Sequence, residues 1–437
     1  MEAPGDGAVP VTTMVQALVE TSIAVHREAP WRPSAAGDTM PAQFPPHAAH
    51  LWVAGSDAPE KPELNLGFLP LSDAASLIVA ATQGFGEPHG LTLNLHRQPS
   101  WSALRDNLLN GHLDAAHCLY GLVYGMHLGL GGTPATDMAV LMGLAQNGQS
   151  LNLARSLTRE GVQDTASLVE RIRQPGTSPL TLAHTFPTGT HIFWLYYWLA
   201  AQGIHPLRDV RTALVPPPQM PEHLAAGRVD GFCVGEPWGA AAVARGQGFT
   251  LTTTQAIWPD HPEKVLACTG RFAERYPNTA RALIRTLLDA SRFIEESREN
   301  RLGTAQLISD AAYVNADPAL LAGRFLGHYE DGLDHRWEDE HPLAFHRQGA
   351  VNPPYLSDGL WFLTQFRRWG LLREDPDYLA IAEAVQCTEL YREAATELGL
   401  AVPPPRRSST LFDGRTWDGS DPAGYARSFA IHALSDH

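Results

Sequence analysis

Apolar and polar positions fall into an ordered series from about residue 61 onward. Leu64 to Leu69 read as a short buried strand, and Pro70 to Asp73 as a turn. Ser72 or Asp73 is placed to cap a helix over Ala74–Gln83, which Gly84, Gly86 and Gly90 end. Leu91, Leu93 and Leu95 alternate along a second strand that reaches His96. A helix over Trp101–Asn110 and a strand near Ala115–Cys118 repeat the unit. A second series runs from Pro179 to Val234: "PLTLAHTF" (strand), "HIFWLYYWLAAQGI" (helix), "VRTALVP" (strand), "MPEHLAAGR" (helix) and "VDGFCV" (strand). Strands alternating with helices predict an α/β fold. After Ala267 the pattern turns helical. Leu283, Ile284, Leu287, Leu288, Phe293 and Ile294 share one stripe, and further helices are predicted near 317–329, 356–369 and 378–398. Asp317 is a fair N-cap for the first of these, with Pro318 at its first position.

Trp101 and the loops "QNGQSL", "HTFPTGTH" and "GEPW" all follow predicted strands. Ligands of open α/β sheets bind beyond the carboxyl ends of the strands, so the two series predict two lobes facing across a cleft. Residues 1–60, rich in Ala and Pro, are predicted to be a disordered arm. Residues 61–154 with 263–437 form the first lobe, and 155–262 the second.

Composition narrows the function. The chain of 437 residues has a net charge of −15, which argues against nucleic acid as a direct partner. No apolar run reaches membrane-spanning length, and residues 1–60 show no secretory signal or lipobox, so the sequence as it stands reads as cytoplasmic. The four cysteines make no metal or disulfide spacing and read as buried thiols. No nucleophile elbow, P-loop, zinc-protease or dinucleotide motif is present, so the chain is not expected to be an enzyme or to need a cofactor or metal. His184 and His191 are badly spaced for a shared metal.

What remains is donor chemistry suited to a small planar anion. Gln149 offers an amide. Thr190 and His191 offer a hydroxyl and an imidazole at a helix start, Gly235 a backbone free of Cβ, and Trp101 a flat wall with one N–H. Of 32 basic residues only Lys61 and Lys264 are lysine. Lys264 is expected to supply an unpaired point charge, and Lys61 to be an inert linker residue. Each has a plainer role open to it: packing for Trp101, turns for Gln149 and Gly235, a cap for Glu236. Glu236 would repel an anion and is expected to orient Lys264 or a loop N–H instead.

Several stretches together resemble the nitrate/bicarbonate-binding protein family of the NrtA/CmpA type. They are "LGFLPLSDAASLIVAATQGF", "SWSALRDNLLNGHLDAAH", "NGQSL", "FPTGTHIFWLYYWLAAQGIHP", "DGFCVGEPW", "HPEKVL", "VNPPYLSDGLWFLTQFRRWG" and "CTELYREAA". The resemblance spans about residues 60–435. It implies a type II periplasmic-binding-protein fold, two α/β lobes around a ligand cleft with additional C-terminal helices. It also implies a ligand set matching Trp101, Gln149, His191, Gly235 and Lys264. The implied function is reversible binding of nitrate or nitrite for an ABC importer, with permease and ATPase subunits as partners in the cell envelope. The alternatives are a cytosolic NasS-like sensor that holds a NasT-like antiterminator, and bicarbonate binding. Ala74, Ser76 and "DAAHCLYGL" depart from the family pattern in the first lobe.

Overall fold

The computed structural model describes residues 56–434. The expectation for residues 1–55 lies outside the described residues. Ser56–Glu60, assigned to the arm, are docked: the Glu60 carboxylate accepts from the Asn278 and Thr279 N–H groups (3.0 and 2.8 Å). These are free donors at the start of the helix Pro277–Glu296.

The first sheet takes β1 (Glu63–Phe68), β2 (Thr92–Arg97), β3 (Ala115–Leu119) and β4 (Met138–Gly143). The second takes β5 (Gln149–Ala154), β6 (Thr181–His184), β7 (Arg211–Leu214), β8 (Gly231–Gly235) and β9 (Gly248–Thr253). The chain then returns to the first sheet as β10 (Lys264–Thr269). The orders are β2-β1-β3-β10-β4 and β7-β6-β8-β5-β9. In each sheet three parallel strands are followed by one antiparallel strand supplied after the crossing. The outward crossing therefore runs through residues 144–148, not at 154/155, because β5 pairs with β8 and β9 in the second sheet. β4 and β5 are buried along their whole length. Strands covered on both faces lose the alternation that marks a half-exposed strand, which is why they escaped the periodicity reading.

Two predicted helices are shorter than expected. Asp317 caps its helix through the Ala319 N–H (2.8 Å), but the helix ends at Phe325, and Tyr329 enters a small hairpin, His328–Glu330 with Arg336–Glu338. The predicted helix over 378–398 is two, Tyr378–Val385 and Thr388–Glu397. Gln386 at the break bonds the Tyr120 and Tyr124 hydroxyls (2.6 and 3.1 Å).

The helix Thr190–Ala201 is buried on every side except its last residue. A helix apolar all round belongs inside a molecule. It packs through Trp194 against Trp361 of the helix Leu356–Arg368, with ring centroids 4.7 Å apart. The C-terminal helices thus lie against both lobes. Between the lobes, the Ser72 N–H bonds the Glu236 carbonyl (2.8 Å), and Trp238 Nε1 bonds the Pro70 carbonyl (2.9 Å). The cleft is closed.

Candidate functional site

The ends of β1, β6 and β8 and the start of β10 meet at this closed seam. Lys264 opens β10 and is wholly buried. Its ammonium is not unpaired, as the sequence suggested. It lies 2.8 Å from Asp73 Oδ2 and 2.5 Å from Glu263 Oε1. Asp73 does not cap a helix with its side chain, because no side-chain cap bond forms there. Its other oxygen lies 2.7 Å from His117 Nε2 on β3. Glu263 Oε2 accepts from Trp194 Nε1 (3.2 Å). Burial alone would raise the Asp73 carboxyl, but Lys264 and His117 outweigh it and hold it well below the usual range. Burial also opposes charge on Lys264, yet its two carboxylates keep it protonated. For Glu263 burial wins: with Asp73 nearby, it is pushed up to about 7 although Lys264 pulls the other way.

The other residues singled out from the sequence gather around this ion cluster. The Trp101 ring lies 5.7 Å from Lys264 Nζ, and its buried Nε1 has no hydrogen-bond partner. His191 is buried with Nδ1 2.9 Å from the Thr185 hydroxyl, and its Nε2 is likewise without a partner. Either tautomer fits the Thr185 contact; in the one where Thr185 donates to Nδ1, the proton sits on Nε2, which has no hydrogen-bond acceptor in the protein. Burial, then Lys264, hold this imidazole well below its ordinary pKa, so it is neutral. A Cβ on Gly235 would come 3.2 Å from Leu71 Cδ2, 3.4 Å from Asp73 Oδ2 and 3.7 Å from His191 Nε2. Gln149 stands opposite Gly235 in the β5–β8 register. Its amide is partly used, with Nε2 donating to the Asn147 carbonyl (2.7 Å) and Oε1 accepting from Thr254 (3.1 Å). Thr190 is buried with an unpartnered hydroxyl.

Glu236 departs from its expected role. It faces Arg324 (3.1 Å), accepts from Ser150 (3.2 Å) and from the Ala240 N–H (3.0 Å), and makes no contact with Lys264. The N–H it holds belongs to the first turn of the helix Trp238–Ala244 rather than to a loop, and the Arg324 pairing makes it structural. Lys61 is not inert either: it pairs with the nearly buried Asp114. The sequence reading missed Asp73, His117 and Glu263. Asp73 reads as a cap, and His117 and Glu263 carry no motif of their own. The available clue was the Glu-Lys pair itself, in a chain with so little lysine.

Two unpartnered ring nitrogens, an ammonium and a Cβ-free backbone thus lie together at a buried seam with neutral imidazoles. Such a set can hold a small anion through charge-assisted and neutral hydrogen bonds. Among the described residues, no three or more His, Cys, Asp or Glu side chains are arranged to hold a metal ion, and no helix is long and apolar enough to cross a membrane.

The sequence has relatives whose character fits this arrangement. Residues 57–309 match the family model described as the NMT1-like family. The chain is 35% identical over 410 residues to the nitrate/nitrite binding protein NrtA of a Nostoc species, covering 90% of this chain and 91% of the relative. The crystal structure of the periplasmic nitrate-binding protein NrtA from Synechocystis superposes with a TM-score of 0.81 at 34% identity, covering 86% of this chain and 100% of that one. A 35% match also extends to the nitrate import ATP-binding protein NrtC of Synechocystis, of whose length the chain spans only 57%. The chain therefore belongs to the NMT1-like family and stands with its NrtA-type binding proteins.

Proposed function

We propose that this chain is the solute-binding component of an ABC importer and closes reversibly on nitrate or nitrite. The observation that carries this reading is the pair of buried, unpartnered ring nitrogens, Trp101 Nε1 and His191 Nε2, beside the Lys264 ammonium. Buried N–H groups without acceptors cost roughly 1–3 kcal/mol each, and a planar oxyanion between them would satisfy both. The NrtA relatives support nitrate and nitrite as that anion. Trp101, Gln149, His191, Gly235 and Lys264 are the proposed contacts, with Thr190 supporting them at the helix start. Asp73 and Glu263 fix the ammonium. The implied partners are a permease and an ATPase, and the implied location is the cell envelope, as for the periplasmic relative.

A thermal-shift titration tests the reading. Nitrate or nitrite at a hundred times its Kd should add about 2.7 kcal/mol of stability, and chloride at the same concentration should add none. No response to either oxyanion would remove the proposal.

A further inference from the structure

We infer that the anion enters this site together with one proton from solvent, and that Glu263 carries it. The inference rests on the nitrate/nitrite reading above and extends it to the site's charge balance.

Two carboxylates, Asp73 and Glu263, and one ammonium, Lys264, are all at most 1% exposed. They are joined in one chain of contacts: His117 to Asp73, Asp73 to Lys264, and Lys264 to Glu263. With both imidazoles neutral and both carboxylates ionised, the cluster carries one net negative charge. A monoanion added to it would place two uncompensated charges in a space closed to water. That is far costlier than drawing a proton from solvent. An ionised Glu263 would also lie against the place the anion must occupy, since its Oε1 is 3.8 Å from the unpartnered His191 Nε2. A protonated Glu263 reverses the interaction. Its O–H becomes a donor, and nitrate and nitrite offer only acceptors.

The other groups facing Glu263 are poorer proton carriers. Lys264, on its own segment, is already charged, and Asp73, from the turn after β1, is held ionised by Lys264 and His117 against the effect of burial. Cys233 on β8 is a thiol that burial keeps protonated. His191, on the helix Thr190–Ala201, is kept neutral by burial and then by Lys264. Burial pushes His261, two residues before Glu263, down to about 3, and His184, behind His191, down to about 4. His117, across Asp73, is also lowered by burial. Glu263 alone is pushed toward neutrality, to about 7, by burial and by Asp73 against Lys264.

The test is calorimetric titration of nitrate into the intact chain near pH 8.5, in HEPES and in Tris, whose protonation enthalpies differ. The buffer dependence of the heat counts the protons taken up. We expect about one proton per nitrate, and an affinity that falls about tenfold from pH 7.5 to 8.5, the limiting slope for one linked proton. Glu263→Gln should abolish both the uptake and the slope in whatever nitrate binding it keeps, its weaker hold on Lys264 lowering the affinity at every pH alike. Tight binding by the parent chain with no proton uptake overturns the inference, whether or not the variant folds. An undiminished uptake in Glu263→Gln overturns the assignment to that residue. If the parent binds no nitrate or nitrite at any pH, the binding reading itself fails and takes this inference with it.

Discussion

Lys264 holds together groups that would otherwise repel each other in a buried interior, which gives it a structural role beside the ligand contact proposed for it. Lys264→Ala leaves Asp73 and Glu263 buried without their cation. Breaking a buried pair in this way costs about 3–5 kcal/mol, so the variant should show a clearly lower urea midpoint as well as lost nitrate binding. A site charge standing alone would have lowered affinity only. Gly235→Ala makes a cleaner probe of the ligand. Its Cβ would press on Leu71 and face Asp73 and His191, intruding on the backbone offered to the anion. The fold should survive with a small shift in Tm, while calorimetric nitrate affinity drops at least tenfold, or about 1.4 kcal/mol. The carboxyls also set a pH profile for the unliganded protein. Asp73 is depressed by Lys264 and His117, so its contribution is present above the ordinary Asp range and lost as pH falls through and below it. Glu263 is raised, so its contribution is full below the ordinary Glu value and lost as pH climbs through about 7. Thermal stability should therefore be highest between these limits, and Glu263→Gln should flatten the alkaline decline. Lys264 was legible in the sequence because lysine is so scarce there. Its partners were not, because an acid beside a helix start or inside a loop has an ordinary role at hand. Only tertiary contact across 191 residues distinguishes Asp73 from a cap.

At the scale of elements, the turn Gly235–Trp238 is clamped from outside its own lobe. The helix Pro318–Phe325 brings Arg324 to within 3.1 Å of Glu236, and the same guanidinium lies 4.3 Å from the Tyr329 ring centroid and donates to the His328 carbonyl (2.6 Å). Both charged partners are nearly inaccessible. Arg324→Ala would leave Glu236 with only neutral donors, and a loss of about 3–5 kcal/mol in urea unfolding is expected. A loss under about 1 kcal/mol would mean that Glu236 finds water or another cation. Parallel β-α units showed well in the sequence because helix and strand periods alternate there. The strands on either side of the crossings did not: β4 and β5 are buried on both faces, and β10 begins at a lysine that only burial identifies as part of a core. Likewise the apolar pattern ran on past Phe325 and across Gln386, where specific polar contacts end the helices.

Taken as a whole molecule, the fold places its site between two lobes that are joined at the cleft by Ser72 to Glu236 and Trp238 to Pro70, and beyond it by the C-terminal segment, through Arg324 to Glu236, the Thr250 N–H to the Asp331 carbonyl and the Tyr197 hydroxyl to Asp413. The proposed anion contacts come from both sides: Trp101 and Lys264 from the first lobe, Gln149, His191 and Gly235 from the second. Ligand should therefore shift the population toward this closed form. Small-angle scattering should record a smaller radius of gyration with saturating nitrate than without it, and no change with chloride. An identical radius in all three states would mean that closure does not depend on the anion. The central claim, that a small oxyanion sits among Trp101, His191, Gly235 and Lys264, is met most directly by a crystal structure grown with saturating nitrate. The account predicts one planar ion in that closed space, within hydrogen-bond distance of Trp101 Nε1, His191 Nε2 and Lys264 Nζ. A well-ordered closed cleft holding water alone, or nitrate bound only at the surface, would contradict it.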